Sequence, residues 1–316
     1  MKAIVCTKYG PPEVLQLQEV EKPAPRNNEV CIKIFATAVT ASDCIVRGFK
    51  LPVWQPMGLM MGIVVGFKRP RRPILGMVFA GEVESAGRDV KRFNKGDRVY
   101  GSTFNSSRIR FGAYAEYICL PEDSMIVSKP SRLTYEEAAA LLYGTGLALY
   151  FLRKGNIQSG QKILIYGASG AIGTSAVQLA RYFGAEVTGV CSTANLELVR
   201  SLGAGTVIDY TKEDFPDRGG LYDFILDAVG KRKSSAFKFQ CKKALTPNGK
   251  YISVDDGSPK TYIEDLILLN ELVEAGKMRP VIDRTYPLEQ MAEAHRYVDK
   301  GHKKGNVVIT VGHNKT

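Results

Sequence analysis

Apolar positions follow two different patterns along this chain. Up to about residue 125 they form short runs rich in β-branched and aromatic residues, such as Val30–Ile34 and Val78–Val83, separated by Gly, Pro and Asn. These runs predict a β-rich region. From Gln161 onward, a strand pattern at Lys162–Tyr166 and a helix pattern at Ala171–Phe183 begin an alternation of strands and helices. That alternation predicts parallel βαβ units with helices on both faces of a sheet.

The boundaries of the two regions also carry signals. Thr134-Tyr135-Glu136-Glu137 has the form of a capping box and predicts the start of an alanine-rich helix. A helix at Leu288–Lys300 and a strand at Asn306–Val311 follow the alternating region, and we expect them to return to the first domain. We therefore predict a β-rich domain over residues 1–125, completed by about 280–316, and an α/β domain over 126–279.

Composition adds limits on function. The 316 residues suit two domains, and the net charge of +11 favours an anionic ligand or partner. No nucleic-acid-binding motif accompanies this charge, so we expect no nucleic acid partner. The six cysteines form no C-x-x-C pair, and the chain begins in a strand pattern instead of a signal peptide. We expect a cytoplasmic location.

A glycine-rich segment carries the strongest chemical signal. The apolar run Ile163–Tyr166 enters Gly167-Ala168-Ser169-Gly170-Ala171-Ile172-Gly173, and a helix pattern follows. Glycines in such a turn let the backbone approach a pyrophosphate, whose charge the N–H groups of the helix start then bind. The pattern predicts a dinucleotide site that includes Ser169, Gly170, Ala171, Ile172 and Gly173.

The next predicted strand indicates which dinucleotide binds. NAD sites place an acidic residue at its end, but Val190 is followed by the neutral Cys191-Ser192-Thr193-Ala194-Asn195. Hydroxyl and amide groups hydrogen-bond a 2′-phosphate, so Ser192, Thr193 and Asn195 favour NADP(H). A second interpretation is that these residues only cap the following helix.

Several motifs together resemble those of the medium-chain dehydrogenase/reductase superfamily. They occur in the family order and cover nearly the whole chain: Pro73–Val83, Gly96–Val99, Phe111–Tyr117, the glycine-rich segment, Leu202–Ala204, Asp227–Gly230, Ala294–Tyr297 and Gly305–Val308. The resemblance implies an α/β fold in which a GroES-like β-rich domain accompanies a Rossmann domain with a doubly wound parallel sheet.

The resemblance also bears on chemistry. Where zinc-dependent members carry zinc ligands, this chain has Thr40, three residues before Asp43, and Met77-Val78. Neither Thr nor Met suits tetrahedral zinc, so we expect no metal. We therefore expect NADPH-dependent hydride transfer to a quinone or an α,β-unsaturated carbonyl. The alternatives are an aldehyde or ketone reductase, and a nucleotide-binding or membrane-associated protein without turnover.

The resemblance implies further site residues. Tyr210 matches a tyrosine near the adenosine 2′-phosphate, and Val229, Val254 and Asn306 are further expected cofactor contacts. Ala194 and Asn195 stand where relatives usually carry a basic residue, which weakens the expected preference for NADPH. No proton donor stands out, and the candidate catalytic residues are Thr40, Asp43 and Tyr143.

Two segments are unusual. Residues 51–72 are apolar, rich in Met and Gly, and end in Lys68-Arg69-Pro70-Arg71-Arg72. We interpret the segment as a loop lining the substrate cleft, with Trp54, Met57 and Met60 as substrate contacts; the alternative is a peripheral membrane contact. After Val254, a strand that pairs across the dimer in relatives has no counterpart, so we expect a monomer or a dimer through another surface.

Overall fold

The structure is a computed structural model that describes residues 1–49, 56–105, 108–212, 221–230, 236–257 and 259–313. The chain divides into two compact units. Unit 1 contains Met1–Leu142, Tyr262–Asn270 and Ile282–Thr316, and unit 2 contains Tyr143–Thr261 and Glu271–Val281. The sequence placed the change of domain near residue 125. The structure instead keeps residues 126–142 in unit 1, because β9 continues through this point as part of the unit 1 sheet.

Both units contain strands, which are numbered in chain order. They are β1 Lys2–Cys6, β2 Leu15–Glu19, β3 Glu29–Val39, β4 Val78–Ala86, β5 Arg98–Ser102, β6 Phe104–Asn105, β7 Arg108–Ile109, β8 Tyr117–Pro121, β9 Met125–Ser128, β10 Lys162–Tyr166, β11 Glu186–Cys191, β12 Thr206–Asp209, β13 Tyr222–Asp227, β14 Leu245–Ser253, β15 Ile282–Pro287 and β16 Asn306–Thr310.

The helices are numbered in the same way. They are α1 Ala41–Gly48, α2 Pro56–Val65, α3 Tyr135–Gly155, α4 Ala171–Tyr182, α5 Leu196–Ser201, α6 Ala236–Lys243, α7 Ile263–Glu274 and α8 Met291–Asp299. Helix α3 begins with the capping box that the sequence predicts: Thr134 N–H donates to Glu137 Oε2 at 2.8 Å, and Glu137 N–H donates to Thr134 Oγ1 at 3.2 Å. No helix in the described ranges is both long and apolar enough to cross a lipid bilayer.

Unit 1 is built on a sheet with the strand order β15-β16-β3-β4-β5-β9, and β8 pairs with β3 in addition. Strand β3 is antiparallel to β4, β8 and β16. The terminal strand β16 thus pairs directly with β3, as expected for a C-terminal segment that returns to the β-rich domain.

Unit 2 is built on a parallel sheet with the order β12-β11-β10-β13-β14. Its central strand β10 is buried apart from Lys162, as its apolar run Ile163–Tyr166 predicts. Together, the two units confirm the predicted α/β fold with a β-rich part and a doubly wound parallel sheet. Strand β14 is the last strand of this order, and residues 254–257 and 259–262 contain no further strand.

The prediction of a loop over residues 51–72 is wrong for its central part, because residues 56–65 form helix α2. Two of the glycines that argued against a helix, Gly58 and Gly62, are buried, so their small size allows close packing. A β-carbon at Gly62 would lie 2.2 Å from the ring of Phe67. The Tyr9 hydroxyl is 3.0 Å and 2.7 Å from the carbonyl oxygens of Val65 and Gly66 at the helix end.

Candidate functional site

The turn between β10 and α4 lies in unit 2 and depends on two glycines. Gly167 follows β10 and has φ of +83°, a conformation that favours glycine. Gly173 lies in the first turn of α4, where a β-carbon would come within 2.1 Å of the Gly167 carbonyl oxygen. Helix α4 can therefore begin this close to the end of β10 only because residue 173 has no side chain.

The amino-terminal end of α4 has no side-chain cap. The first N–H groups of any α-helix have no acceptor within the helix. At α4 the residue before the helix is Gly170, which supplies no capping side chain for them either. A β-carbon at Gly170 would approach only the Gly167 carbonyl oxygen, at 3.6 Å. Exposed N–H groups and the helix dipole make such an end a site for phosphate. The predicted residues at this end are Ser169, Gly170, Ala171, Ile172 and Gly173.

The turn after β13 lies against the glycine turn. A β-carbon at Gly167 would be 2.5 Å from the Cγ2 atom of Val229. The Oδ1 atom of Asp227 accepts the N–H groups of Val229, at 3.2 Å, and Gly230, at 3.1 Å. The predicted contact Val254 is close by, since its N–H donates to the Asp227 carbonyl oxygen at 3.0 Å.

Asp227 supports this turn, a role that the motif Asp227–Gly230 alone did not indicate. Its side chain is fully buried. Oδ2 accepts the hydroxyls of Tyr251, at 2.9 Å, and Ser253, at 3.1 Å, and forms an ion pair with Lys238. These contacts hold the carboxylate that shapes the turn at Val229. An acidic residue at the end of a buried strand was the available signal.

The segment that follows β11 is hydrogen-bonded to the glycine turn. Asn195 is buried, and its Nδ2 atom donates to Ser169 Oγ and to Ser192 Oγ, both at 3.2 Å. Asn195 thus connects the segment after β11 to the start of α4. Thr193, by contrast, is exposed.

A carboxylate lies beside Thr193, although the residues that follow β11 are themselves neutral. Asp209, at the end of β12, accepts the Thr193 hydroxyl through Oδ2 and the Thr211 hydroxyl, at 2.6 Å, through Oδ1. These two hydroxyl hydrogen bonds lower the pKa of Asp209, so its negative charge is maintained. The residues that follow β11 give no sign of this carboxylate, because Asp209 is the last residue of the next strand, β12.

Tyr210 has an exposed ring at the same edge of the sheet. Its exposed fraction is 44%, and its centroid lies 6.4 Å from those of Tyr166 and Phe237. An exposed aromatic face beside hydroxyl groups suits stacking on a flat ligand ring. The role near the adenosine 2′-phosphate that the family resemblance implies for Tyr210 stays a prediction.

The part of α3 from Tyr143 onward belongs to unit 2. The Thr145 hydroxyl is buried and lies 2.9 Å from Ser175 Oγ on α4. Thr145 therefore connects α3 to α4 by a hydrogen bond. Tyr143, a catalytic candidate, is partly buried at the start of the unit 2 portion of α3.

The other two catalytic candidates lie in unit 1. Thr40 caps α1: its N–H and hydroxyl donate to Asp43 Oδ2 at 2.9 Å and 2.6 Å, and Asp43 N–H donates to Thr40 Oγ1 at 3.1 Å. Asp43 is fully buried, and burial raises its pKa to about 6 against the opposing effect of the Thr40 hydrogen bonds. In this geometry Asp43 supports the start of α1.

His295 is buried in unit 1 within a cluster of side chains. Its Nδ1 atom is 3.4 Å from Cys44 Sγ, and its Nε2 atom is 3.2 Å from the Tyr114 hydroxyl. With no exposed surface, His295 is placed for a structural role in unit 1. Asn306, the remaining predicted cofactor contact, also lies in unit 1 and is 7% exposed at the start of β16.

The positions that match the zinc ligands of zinc-dependent family members have other contacts here. Thr40 is engaged with Asp43, and Met77 is buried. Within the described ranges, no group of three or more His, Cys, Asp or Glu residues is placed to hold a metal ion. The absence of zinc stays a prediction from the residue types.

The predicted substrate contacts are not described by the structure. Trp54 lies outside the described residues, and so do the side chains of Met57 and Met60, although α2 includes their backbone. A cavity of about 180 Å³ lies in unit 1 next to α2. Its lining combines apolar residues with two arginines: Val46, Val64, Val65, Pro70, Arg71, Arg72, Leu75 and Phe111.

Comparisons with known proteins agree with this geometry. Residues 26–131 match the alcohol dehydrogenase GroES-like domain, and residues 202–268 and 258–309 match the zinc-binding dehydrogenase family. The 2-methylene-furan-3-one reductase of Solanum lycopersicum is 34% identical, over 98% of this chain and 79% of that protein. The chloroplastic NADPH-dependent alkenal/one oxidoreductase of Arabidopsis thaliana is 30% identical over the same shares.

A solved structure agrees as well. The quinone oxidoreductase from Coxiella burnetii is 28% identical and superposes with a TM-score of 0.80, covering 99% of each chain. The match covers nearly the whole chain and therefore includes both units. The chain belongs to the medium-chain dehydrogenase/reductase superfamily, among its members that are similar to quinone and enone oxidoreductases.

Proposed function

We propose that this chain is an NADPH-dependent oxidoreductase that reduces quinones or α,β-unsaturated carbonyl compounds. The observation that carries the proposal is the uncapped amino-terminal end of α4, where Gly167 and Gly173 bring β10, the turn and the helix together. When bound, NADPH supplies the hydride. The protein supplies binding and orientation.

The residues of unit 2 fit this cofactor. N–H groups at Ala171, Ile172 and Gly173 would hold the diphosphate. The exposed side chain of Thr193, whose hydroxyl donates to Asp209, would lie beside the 2′-phosphate. Tyr210 would pack against the adenosine. The turn at Val229 is held by Asp227 and would border the cofactor beside Gly167.

The substrate class rests on the relatives. Their names specify a methylene-furanone, alkenals or alkenones, and a quinone. In each of these, an electron-poor double bond or ring accepts hydride and the added charge moves to an oxygen. Protein hydrogen-bond donors stabilise such a charge. Because Asp43 and His295 are fully buried, we propose that water delivers the proton.

Turnover with a matched panel tests the proposal. NADPH oxidation would be followed with a quinone, an enone, and the saturated aldehyde and ketone of the same carbon skeleton, each repeated with NADH. We expect turnover of the quinone or the enone, and more with NADPH than with NADH. Turnover of the saturated carbonyls alone would replace the proposal by an aldehyde or ketone reductase. Tight NADPH binding without turnover would replace it by a binding protein.

A second proposal concerns helix α2, which we propose contacts an anionic membrane surface. Its large apolar side chains are exposed, Leu59 by 48% and Ile63 by 54%, whereas the small residues Gly58 and Gly62 are buried. An exposed apolar surface of this kind typically marks an interaction site. Lys68, Arg69, Arg71 and Arg72 follow the helix and are exposed, which suits anionic lipid headgroups.

Vesicle sedimentation tests this contact. We expect the protein to pellet with phosphatidylserine-containing vesicles and less with pure phosphatidylcholine vesicles. Ile63→Ser would weaken pelleting, whereas Ile267→Ser, which changes a similarly exposed residue on α7 (50%), would not. Equal pelleting of both variants and the wild type would overturn the proposal without affecting the reductase assignment.

We also propose that the chain is monomeric or dimerises through a surface other than the β14 end of the unit 2 sheet. The support is that residues 254–257 and 259–262, which follow β14, form no further strand. Light scattering, followed for any dimer by hydrogen exchange at β14, tests this. Protection of β14 on dimer formation would contradict it.

A further inference from the structure

Two cysteines that are far apart in the sequence lie opposite each other in the unit 1 sheet. Strands β3 and β8 are antiparallel, and their register pairs Cys31 with Cys119. Nothing in the proposed reaction uses either residue. Both thiols are free.

The hydrogen bonds on either side of this pair define its type. Ile34 N–H donates to the Glu116 carbonyl, and Glu122 N–H donates to the Asn28 carbonyl, at 2.9 Å and 3.0 Å. In this register, the even-numbered residues of β3 therefore form the hydrogen-bonded pairs, and Cys31–Cys119 is a non-hydrogen-bonded pair. Such pairs have Cα atoms about 4.5 Å apart with their side chains close together. That separation lies within the range that a disulfide spans.

Side-chain contacts show that the two sulfur atoms point to the same place. Cys31 Sγ lies 3.8 Å and Cys119 Sγ lies 3.6 Å from the carbonyl oxygen of Pro23. A hydrogen bond from the Cys119 thiol lowers the pKa of Cys31, and the ammonium of Lys22 adds to this effect. The same hydrogen bond raises the pKa of Cys119. One thiolate of the pair is thus stabilised beside a thiol.

Access differs between the two residues. Cys31 is 1% exposed, whereas Cys119 is partly exposed and opens the pair towards solvent. A peroxide is small enough to reach such a site. Cys6, Cys44, Cys191 and Cys241 are buried and lack a cysteine partner in the strand pairings of the described residues, so they are natural controls.

We propose that Cys31 and Cys119 form an oxidisable dithiol, which a peroxide converts to a disulfide and a small thiol reduces again. The Cys31 thiolate attacks one oxygen of hydrogen peroxide, giving a sulfenic acid and hydroxide. Cys119 sulfur then attacks the Cys31 sulfur, and the sulfenic oxygen leaves with the Cys119 proton. Two thiols and one peroxide become one disulfide and two water molecules. The product covalently joins β3 to β8.

Mapping of the thiols by mass spectrometry tests this proposal. The reduced protein is treated with hydrogen peroxide at low molar excess, alkylated after denaturation, and digested without reductant. We expect a cross-linked peptide pair containing Cys31 and Cys119, with four of the six cysteines alkylated. Dithiothreitol would restore alkylation of all six. Cys31→Ser and Cys119→Ser would each remove the cross-link, whereas Cys241→Ser would keep it.

A second measurement needs no variant. Phenylarsine oxide bridges two adjacent thiols, so we expect one equivalent to bind the wild-type protein and to protect Cys31 and Cys119 together from alkylation. Failure of both the peroxide cross-link and the arsenical protection would overturn the proposal. A cross-link between any other cysteines, or sulfinic acid at Cys119 without a cross-link, would also overturn it.

Discussion

Val229 lies directly against Gly167, so close that a β-carbon at Gly167 would come within 2.5 Å of the Val229 side chain. The contact connects the turn after β13 to the turn after β10. Asp227 fixes one side of it through the Val229 N–H, and the positive φ of Gly167 fixes the other. The candidate cofactor site therefore consists of turns that pack against one another. A substitution that shifts the backbone of one turn should also shift the backbone of the others.

Substitutions at Gly173 and Gly170 separate packing from ligand contact. We expect Gly173→Ala to destabilise the protein by about 1–3 kcal/mol, because its β-carbon would meet the backbone of Gly167 at 2.1 Å. Gly170→Ala has room in the free protein, so its stability should be nearly unchanged. Its added methyl group should still weaken NADPH binding. Thermal unfolding and calorimetric titration measure both effects; equal destabilisation of the two variants would contradict the packing argument.

Replacement of Asp227 tests the support of the Val229 turn. Asp227→Asn leaves Lys238 without its buried ionic partner, and we expect a loss of about 3 kcal/mol in the free energy of unfolding. The affinity for NADPH should fall as the turn loosens. Glu197→Gln, which breaks the exposed pair with Arg200, is the control and should cost less than about 1 kcal/mol. Denaturant unfolding that shows equal effects would refute this role of Asp227.

The carboxylate of Asp209 should limit the preference for NADPH over NADH. It accepts the Thr193 hydroxyl and stays charged near the position proposed for the 2′-phosphate. Asp209→Asn removes the charge and keeps an oxygen acceptor, so the ratio of NADH to NADPH dissociation constants should rise several-fold. The control Asp223→Asn changes a carboxylate near the start of β13, at the edge of the sheet opposite to Asp209. It should leave the ratio unchanged. A ratio that falls in Asp209→Asn would contradict the placement of the phosphate.

Asp43 should make stability depend on pH. Burial raises its pKa to about 6 from an ordinary value of 3.8, so between these pH values the folded state binds more protons than the unfolded state. Stability from this group is thus fully present below about pH 4 and is lost as the pH rises through 6, by up to about 3 kcal/mol. Denaturant unfolding across this range should show the decline in the wild type and in Asp123→Asn, but not in Asp43→Asn.

The elements of unit 2 could be predicted from the sequence because apolar periodicity dominates there. Strand β10 and helix α4 lie within one residue of their predicted ends, since their apolar residues face a shared core. Helix α2 could not be predicted in this way. Its glycines are unfavourable locally, and only the packing of Gly58 and Gly62 in the folded protein offsets that cost.

The candidate site shows the same division. The residues of the glycine turn between β10 and α4 are consecutive in the sequence, so its glycine pattern could be identified from the sequence. The contacts of Asp209 with Thr193, and of Asp227 with Lys238, join residues from different parts of the chain. The pairing of Cys31 with Cys119 depends on strand register in the same manner. Sequence spacing alone carries no information about such contacts.

The end strand β14 has a consequence for how this protein behaves while it folds. Pro247 lies within the strand and has no N–H to offer, and the register with β13 shifts between the pairs that contain Leu245 and Lys250. Both features interrupt the regular row of hydrogen-bonding groups that a sheet margin presents to other chains. Parallel sheets form slowly, so newly synthesised molecules expose this edge strand while they fold. The interrupted edge should reduce pairing between such molecules and therefore their aggregation.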